Sequence, residues 1–210
     1  MKIKLPVILK SILCLLFFIS LSSNASGADC FSDSPSTEAG RDMYEETVPR
    51  ELEEGEFEAL EELLGDLDGR WEGTAEVTLC GGTSEDPKEE TDEYSISSKA
   101  TMSRSGDFSL NSTLNSRAKR TKQDEKIRLY LSKKMLTTQG NMSVSDLELI
   151  AVSSDELIYL RKTTSGNPVK RAVEHLTAIL KSSETSFVVE IQVFVQGQLK
   201  SVSIWNLEKN

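Results

Sequence analysis

The chain has 210 residues, 24 of them Lys or Arg and 34 Asp or Glu, and its formal net charge is −10 at pH 7. This balance argues against a nucleic-acid partner, because phosphate binding requires clustered basic side chains. One histidine and two widely spaced cysteines outside the leader lack the arrangement of a zinc site.

The first 25 residues have the pattern of a secretory signal peptide. Three lysines lie within the first ten residues, and the uncharged apolar run Ser11 to Leu21 follows them. Small residues at Ser23-Asn24-Ala25 predict cleavage after Ala25, with Ala28 as the alternative position. We therefore expect a periplasmic or secreted protein without an integral membrane segment after cleavage. An uncleaved membrane anchor is the alternative.

Beyond this leader the sequence contains two cysteines, Cys30 and Cys80. Disulfides persist in oxidising compartments, so an exported chain with two cysteines is a candidate for one bridge between them. Two unpaired thiols are the alternative, since the sequence does not give their separation.

Residues 26–49 are polar and acidic, which predicts a flexible linker. Residues 50–68 then carry leucines and a phenylalanine at the i, i+3, i+4 spacing of an amphipathic helix whose opposite face is nearly all glutamate. This helix either flanks the following domain or binds a protein partner.

From residue 69 to residue 210 the hydrophobic period changes from 3.6 to 2. The clearest case begins at Trp71, where Gly73, Ala75, Val77 and Leu79 alternate with polar residues. Short turn segments separate about nine such strands, and we expect a loop over the acidic stretch 85–93. Sequential strands without intervening helices favour an all-β, antiparallel up-and-down barrel of about 8–10 strands preceded by the short acidic amphipathic helix. A two-sheet sandwich is the alternative.

The segment Gly69-Arg70-Trp71-Glu72-Gly73 resembles the G-x-W entry of lipocalins and their calycin relatives. The resemblance implies that Trp71 closes one end of a barrel whose interior binds a small hydrophobic or amphipathic ligand. Residues 174–181, EHLTAILK, are similar to the haem-histidine strand of nitrobindin-like proteins. That resemblance implies that His175 is a proximal ligand of haem iron, although a structural histidine is the alternative.

No nucleophile elbow, phosphate-binding loop or dinucleotide fingerprint occurs, so we do not expect an enzyme. The inward faces of the predicted strands supply the candidate ligand-binding residues, which are Trp71, Tyr94, Ala100 and Phe108.

One basic cluster interrupts this otherwise neutral β domain, and it could receive the acidic helix or an anionic ligand. Its members are Arg117, Lys119, Arg120, Lys122, Lys126 and Arg128.

The leading functional hypothesis is therefore an exported calycin-like protein that binds a small hydrophobic or amphipathic molecule inside the barrel. The alternative is a non-enzymatic envelope module with a filled barrel, which interacts with proteins through its acidic helix. Haem binding through His175 is a third hypothesis, and no other cofactor is expected.

Overall fold

The computed structural model describes residues 29–42, 44, 49–116, 118–139, 144–165 and 169–210. The predicted signal peptide lies outside these residues. Within them, no helix combines the length and the apolar character needed to cross a membrane.

The described chain contains two helices and eleven strands. The helices are α1 (Pro35–Glu38) and α2 (Glu56–Asp66). The strands are β1 (Gly69–Gly82), β2 (Pro87–Met102), β3 (Asp107–Ser116), β4 (Thr121–Leu131), β5 (Leu136–Gln139), β6 (Val144–Asp146), β7 (Glu148–Val152), β8 (Glu156–Ser165), β9 (Arg171–Ser183), β10 (Ser186–Val195) and β11 (Gln198–Lys209).

All eleven strands belong to one antiparallel sheet in the order β6-β5-β4-β3-β2-β1-β11-β10-β9-β8-β7. The two outermost strands, β6 and β7, are consecutive in the chain and are separated by Leu147 alone. A single bent segment therefore pairs with β5 through its first half and with β8 through its second half. This connection curls the sheet into an up-and-down barrel, and the predicted all-β barrel is confirmed.

Two local predictions are wrong. The acidic stretch 85–93 is not a loop, because β2 begins at Pro87 and pairs with β1 as far as Gly82. Its residues are mostly exposed, since this hairpin end extends past the buried interior, and the period-2 hydrophobic signal is therefore absent there. The apolar alternation Ile127, Leu129, Leu131 and Met135 also predicts one strand as far as Met135. Strand β4 instead ends at Leu131, where a short turn leads into β5.

Helix α2 closes one end of the barrel. Its residues Leu60, Leu63 and Leu64 have no exposed surface, and they join the main hydrophobic core. Beside them the indole Nε1 of Trp71 donates a hydrogen bond to the carbonyl of Leu67 at 2.8 Å. The Trp71 ring also meets Phe187 edge-on, with 4.7 Å between ring centroids. We call this region the plugged end.

The described part of the predicted linker lies against the outside of the sheet rather than away from it. Asp33 forms an isolated antiparallel bridge with Gln198, and Cys30 forms the disulfide with Cys80 of β1. Beside this segment, Phe194, Leu199 and Val202 form a second, smaller hydrophobic cluster on the outer face. The disulfide joins the N-terminal segment to β1 near the end of the barrel opposite α2.

Candidate functional site

The strand register places inward-facing residues of β8, β9, β10, β11 and β1 in three layers. The floor layer is apolar, and its members are Leu157, Ile179, Val189, Trp205 and Ala75. The middle layer contains three hydroxyl-bearing and two apolar residues, and its members are Tyr159, Thr177, Ile191, Ser203 and Val77. The rim layer is the farthest from α2, and its members are Arg161, His175, Val193, Ser201 and Leu79.

A cavity of about 550 Å³ occupies the space between these layers and the facing strand β4. Its lining includes the whole middle and rim layers, together with Trp205 from the floor layer and residues 123, 125–128 and 138 of β4 and β5. Leu79 lines the cavity and is still 47% exposed, so the cavity opens to solvent at the end opposite α2. We call this region the open end.

The wall of the cavity changes in polarity along the barrel axis. At the floor, the Trp205 indole donates its Nε1 hydrogen to the Ser203 hydroxyl at 2.7 Å. The indole N–H therefore already has a hydrogen-bond partner within the protein. At the rim, Arg161 and His175 are direct cross-strand partners. An apolar base with polar groups at the mouth is the arrangement that orients an amphipathic molecule.

The ionisable groups of the cavity show its electrostatic character. Burial, together with the positive charge of Arg161, lowers the pKa of His175 to about 4. The imidazole is therefore neutral at pH 7. One layer below, burial raises the pKa of Tyr159, so its phenol keeps its proton.

The four residues predicted to bind ligand do not line this cavity. Trp71, Ala100 and Phe108 are at most 1% exposed and belong to the packed core. Tyr94 packs against the same core as a partly buried residue. These side chains face inward as the alternation requires, but close packing leaves no space beside them.

His175 does face the cavity, as the haem hypothesis requires. The described residues contain no cluster of three or more His, Cys, Asp or Glu side chains suited to a metal ion. Haem ligation needs one such residue only, so haem binding through His175 stays a prediction.

Among the described residues, no ion pair joins the basic cluster to the acidic helix. Lys119 instead pairs with Glu90 and Asp92 of β2, at 2.7 and 2.6 Å. Among the described residues, the sheet cation that meets helix α2 is Lys181, which pairs with Asp66 at 2.5 Å. Arg117 lies outside the described residues. Lys126 and Arg128 border the cavity but occupy outward positions of β4, so the other predicted role of the cluster, contact with an anionic ligand, stays a prediction.

Arg161, Ser201 and Ser203 also line the cavity, and the sequence did not predict them as site residues. Polar residues at alternate positions of a strand are normally exposed, and their inward orientation became visible only through the register. One available signal was the alternation Leu157, Tyr159, Arg161 in β8, which continues an apolar face into a charged residue.

No protein-family model matches the sequence, and no curated protein matches it. The crystal structure of a protein of unknown function from the DUF3598 family of Nostoc punctiforme PCC 73102 is similar to part of the chain, with a TM-score of 0.47 and 16% sequence identity. The similarity covers 70% of this chain and 49% of that chain, so the chain spans about half the length of that protein.

Proposed function

We propose that this protein binds one small amphipathic molecule in the cavity at the open end of the barrel. The observation that carries the proposal is the cavity of about 550 Å³, whose wall changes from an apolar floor at Trp205 to a polar rim at Arg161 and His175. Its volume lies within the roughly 300–1,000 Å³ that is typical of small-molecule sites.

The fold explains how such a space persists. Helix α2 and the large residues around Trp71 fill the plugged end and form the main core. Toward the open end, β11 carries the small residues Ser201 and Ser203 at its inward positions. A barrel of this strand number is wide enough to hold one small ligand where its side chains do not fill it.

We further propose that the protein acts outside the cytoplasm. The pairing of Cys30 with Cys80 supports this, because disulfides persist mainly in oxidising compartments. The signal-peptide pattern of residues 1–25 points in the same direction.

The two tryptophans allow a matched test of the ligand site, since Trp205 lines the cavity and Trp71 lies in the packed plug. Dodecanoate and dodecanol are titrated below their aggregation concentrations into the disulfide-bonded protein while tryptophan emission is recorded. We expect a saturable change in the wild type and in Trp71→Phe, and no change in Trp205→Phe.

Native mass spectrometry of the same mixtures then gives the stoichiometry, which we expect to be one ligand per chain. An emission change that is lost in Trp71→Phe but kept in Trp205→Phe would place the ligand elsewhere. The absence of saturable binding by both probes would overturn the proposed function.

A further inference from the structure

One cation reaches the interior of the cavity. Arg161 lies on the inward face of β8, and Glu125 is an inward carboxylate on the facing strand β4. Lys126 and Arg128 also border the cavity, but they alternate with the buried Ile127 and so occupy outward positions of β4. Within the described part of the chain, no ion pair joins Arg161 to an acidic group. Arg161 therefore brings into the cavity a positive charge that no ion pair of the described residues balances.

Arg161 has the position within the cavity that suits a ligand head group. It is the charged member of the rim layer, with His175 beside it on β9 and Tyr159 one layer below it on its own strand. A guanidinium presents a planar set of donors that matches the two oxygens of a carboxylate. Lys126 and Arg128, by contrast, occupy outward positions of the facing strand β4.

The lowered pKa of His175 agrees with a positive electrostatic potential beside Arg161. Burial is the larger cause of the lowered pKa of His175, and the charge of the neighbouring Arg161 adds to it. A group that makes a second cation unfavourable at this position makes an anion favourable there, and the partial enclosure of the cavity strengthens both effects.

We propose that the ligand is a carboxylate-bearing amphiphile whose head group binds Arg161 at the rim, while its apolar chain extends toward Trp205 at the floor. This proposal rests on the proposed function and adds the chemical class of the ligand. The order of the layers gives the orientation, because the charged group lies nearest solvent and the apolar floor lies deepest.

The first test compares three probes of equal chain length with the wild-type protein: dodecanoate, dodecanol and dodecyltrimethylammonium. We expect dodecanoate to bind at least roughly tenfold more tightly than dodecanol, since hydrogen bonds to charged groups stabilise a complex more than neutral ones do. The cationic probe should bind most weakly. Equal affinity for dodecanoate and dodecanol would overturn the carboxylate proposal and leave the proposed function standing. Failure of all three probes to bind would overturn both.

The second test changes the arginine itself. Arg161→Gln should weaken dodecanoate binding roughly tenfold to a hundredfold and leave dodecanol binding unchanged. Arg171→Gln is the matched control, because Arg171 is exposed on β9, does not line the cavity and gives the same change in net charge. We expect it to bind dodecanoate as the wild type does.

An equal loss in both variants would show a general charge effect and would overturn the assignment to Arg161. So would an Arg161→Gln variant that binds dodecanoate with wild-type affinity. Circular dichroism of each variant verifies the fold. If Arg161→Gln does not fold, the comparison of probes on the wild-type protein decides the proposal by itself.

Discussion

The two ends of this barrel are built from the same antiparallel strands, yet they differ in almost every physical respect. At the plugged end, Trp71, Phe187 and the leucines of α2 are at most 1% exposed and pack together in the main core. At the open end, Arg161, His175 and Ser201 surround a cavity of about 550 Å³. One end is closed by packing, whereas the other contains the candidate site.

The residues that stabilise the fold and the residues that form the candidate site therefore lie toward opposite ends of the barrel. Close-packed apolar residues supply most of the favourable free energy of folding, so the plugged end should carry most of the stability. An unfilled cavity forgoes such contacts. At the open end a covalent link between Cys30 and Cys80 fastens the N-terminal segment to β1.

The largest expected effect comes from removing a leucine of the plug. Leu63 is fully buried, so Leu63→Ala should lower the free energy of unfolding by about 2–5 kcal/mol. The matched change at the open end, Leu79→Ala, removes a side chain that is 47% exposed and should cost less than about 1 kcal/mol. Urea denaturation of both variants measures the difference. Equal losses would show that the two ends are packed alike.

The disulfide should be the next largest contributor. It closes a sequence separation of 50 residues, for which the chain-entropy relation gives roughly 4 kcal/mol, within the usual range of such bridges. The double variant Cys30→Ser/Cys80→Ser should lose about 2–4 kcal/mol.

Hydrogen exchange should rise first in residues 29–42 and the adjoining end of β1, while the amides of α2 keep their protection. A reducing agent should reproduce the effect in the wild type and should have no effect on the double variant. Faster exchange in α2 than in residues 29–42 would contradict the proposed division between the two ends.

A smaller effect should appear as a pH dependence of stability at the open end. The pKa of His175 is lowered to about 4 in the folded protein from its ordinary 6.5. The unfolded chain therefore binds this proton more readily, so stability is complete above about pH 6.5 and falls as the pH decreases toward 4. The loss should approach about 3 kcal/mol.

The groups that face this imidazole are Arg161 on β8, Val193 on β10 and, across the cavity, Glu125 on β4. The measurement is the difference in unfolding free energy between wild type and His175→Gln from pH 7 to pH 4. Because the chain has one histidine, the NMR titration of its imidazole gives the folded pKa directly. A titration midpoint near 6.5 would contradict this prediction.

The smallest effect should come from the exposed hairpin beyond the open end. Lys119 pairs with Glu90 and Asp92, and these contacts raise its pKa, but the lysine is exposed to solvent. Exposed ion pairs contribute little, because water and salt screen them. Lys119→Gln should leave the thermal midpoint unchanged within error. A decrease in thermal midpoint as large as the one measured for Leu79→Ala would show that this hairpin stabilises the open end.

The sequence alone supported the architecture well, because each part had a local signal. The alternation from Trp71 to Leu79 predicted β1 and its buried face, and the leucines at 60, 63 and 64 predicted the apolar stripe of α2. The candidate disulfide was confirmed, since just two cysteines remained after the predicted leader. The strand at 87–93 was missed because it lies beyond the core and both of its faces reach solvent.

The location of the cavity required the tertiary structure. The period-2 pattern tells which face of a strand points inward, and it selected Trp71, Ala100 and Phe108 correctly as inward residues. It does not tell how far along the barrel axis a residue lies, because that height depends on strand register and stagger between distant segments. The position of α2 then decided which inward residues became a packed plug and which, such as Arg161 and His175, came to surround a cavity.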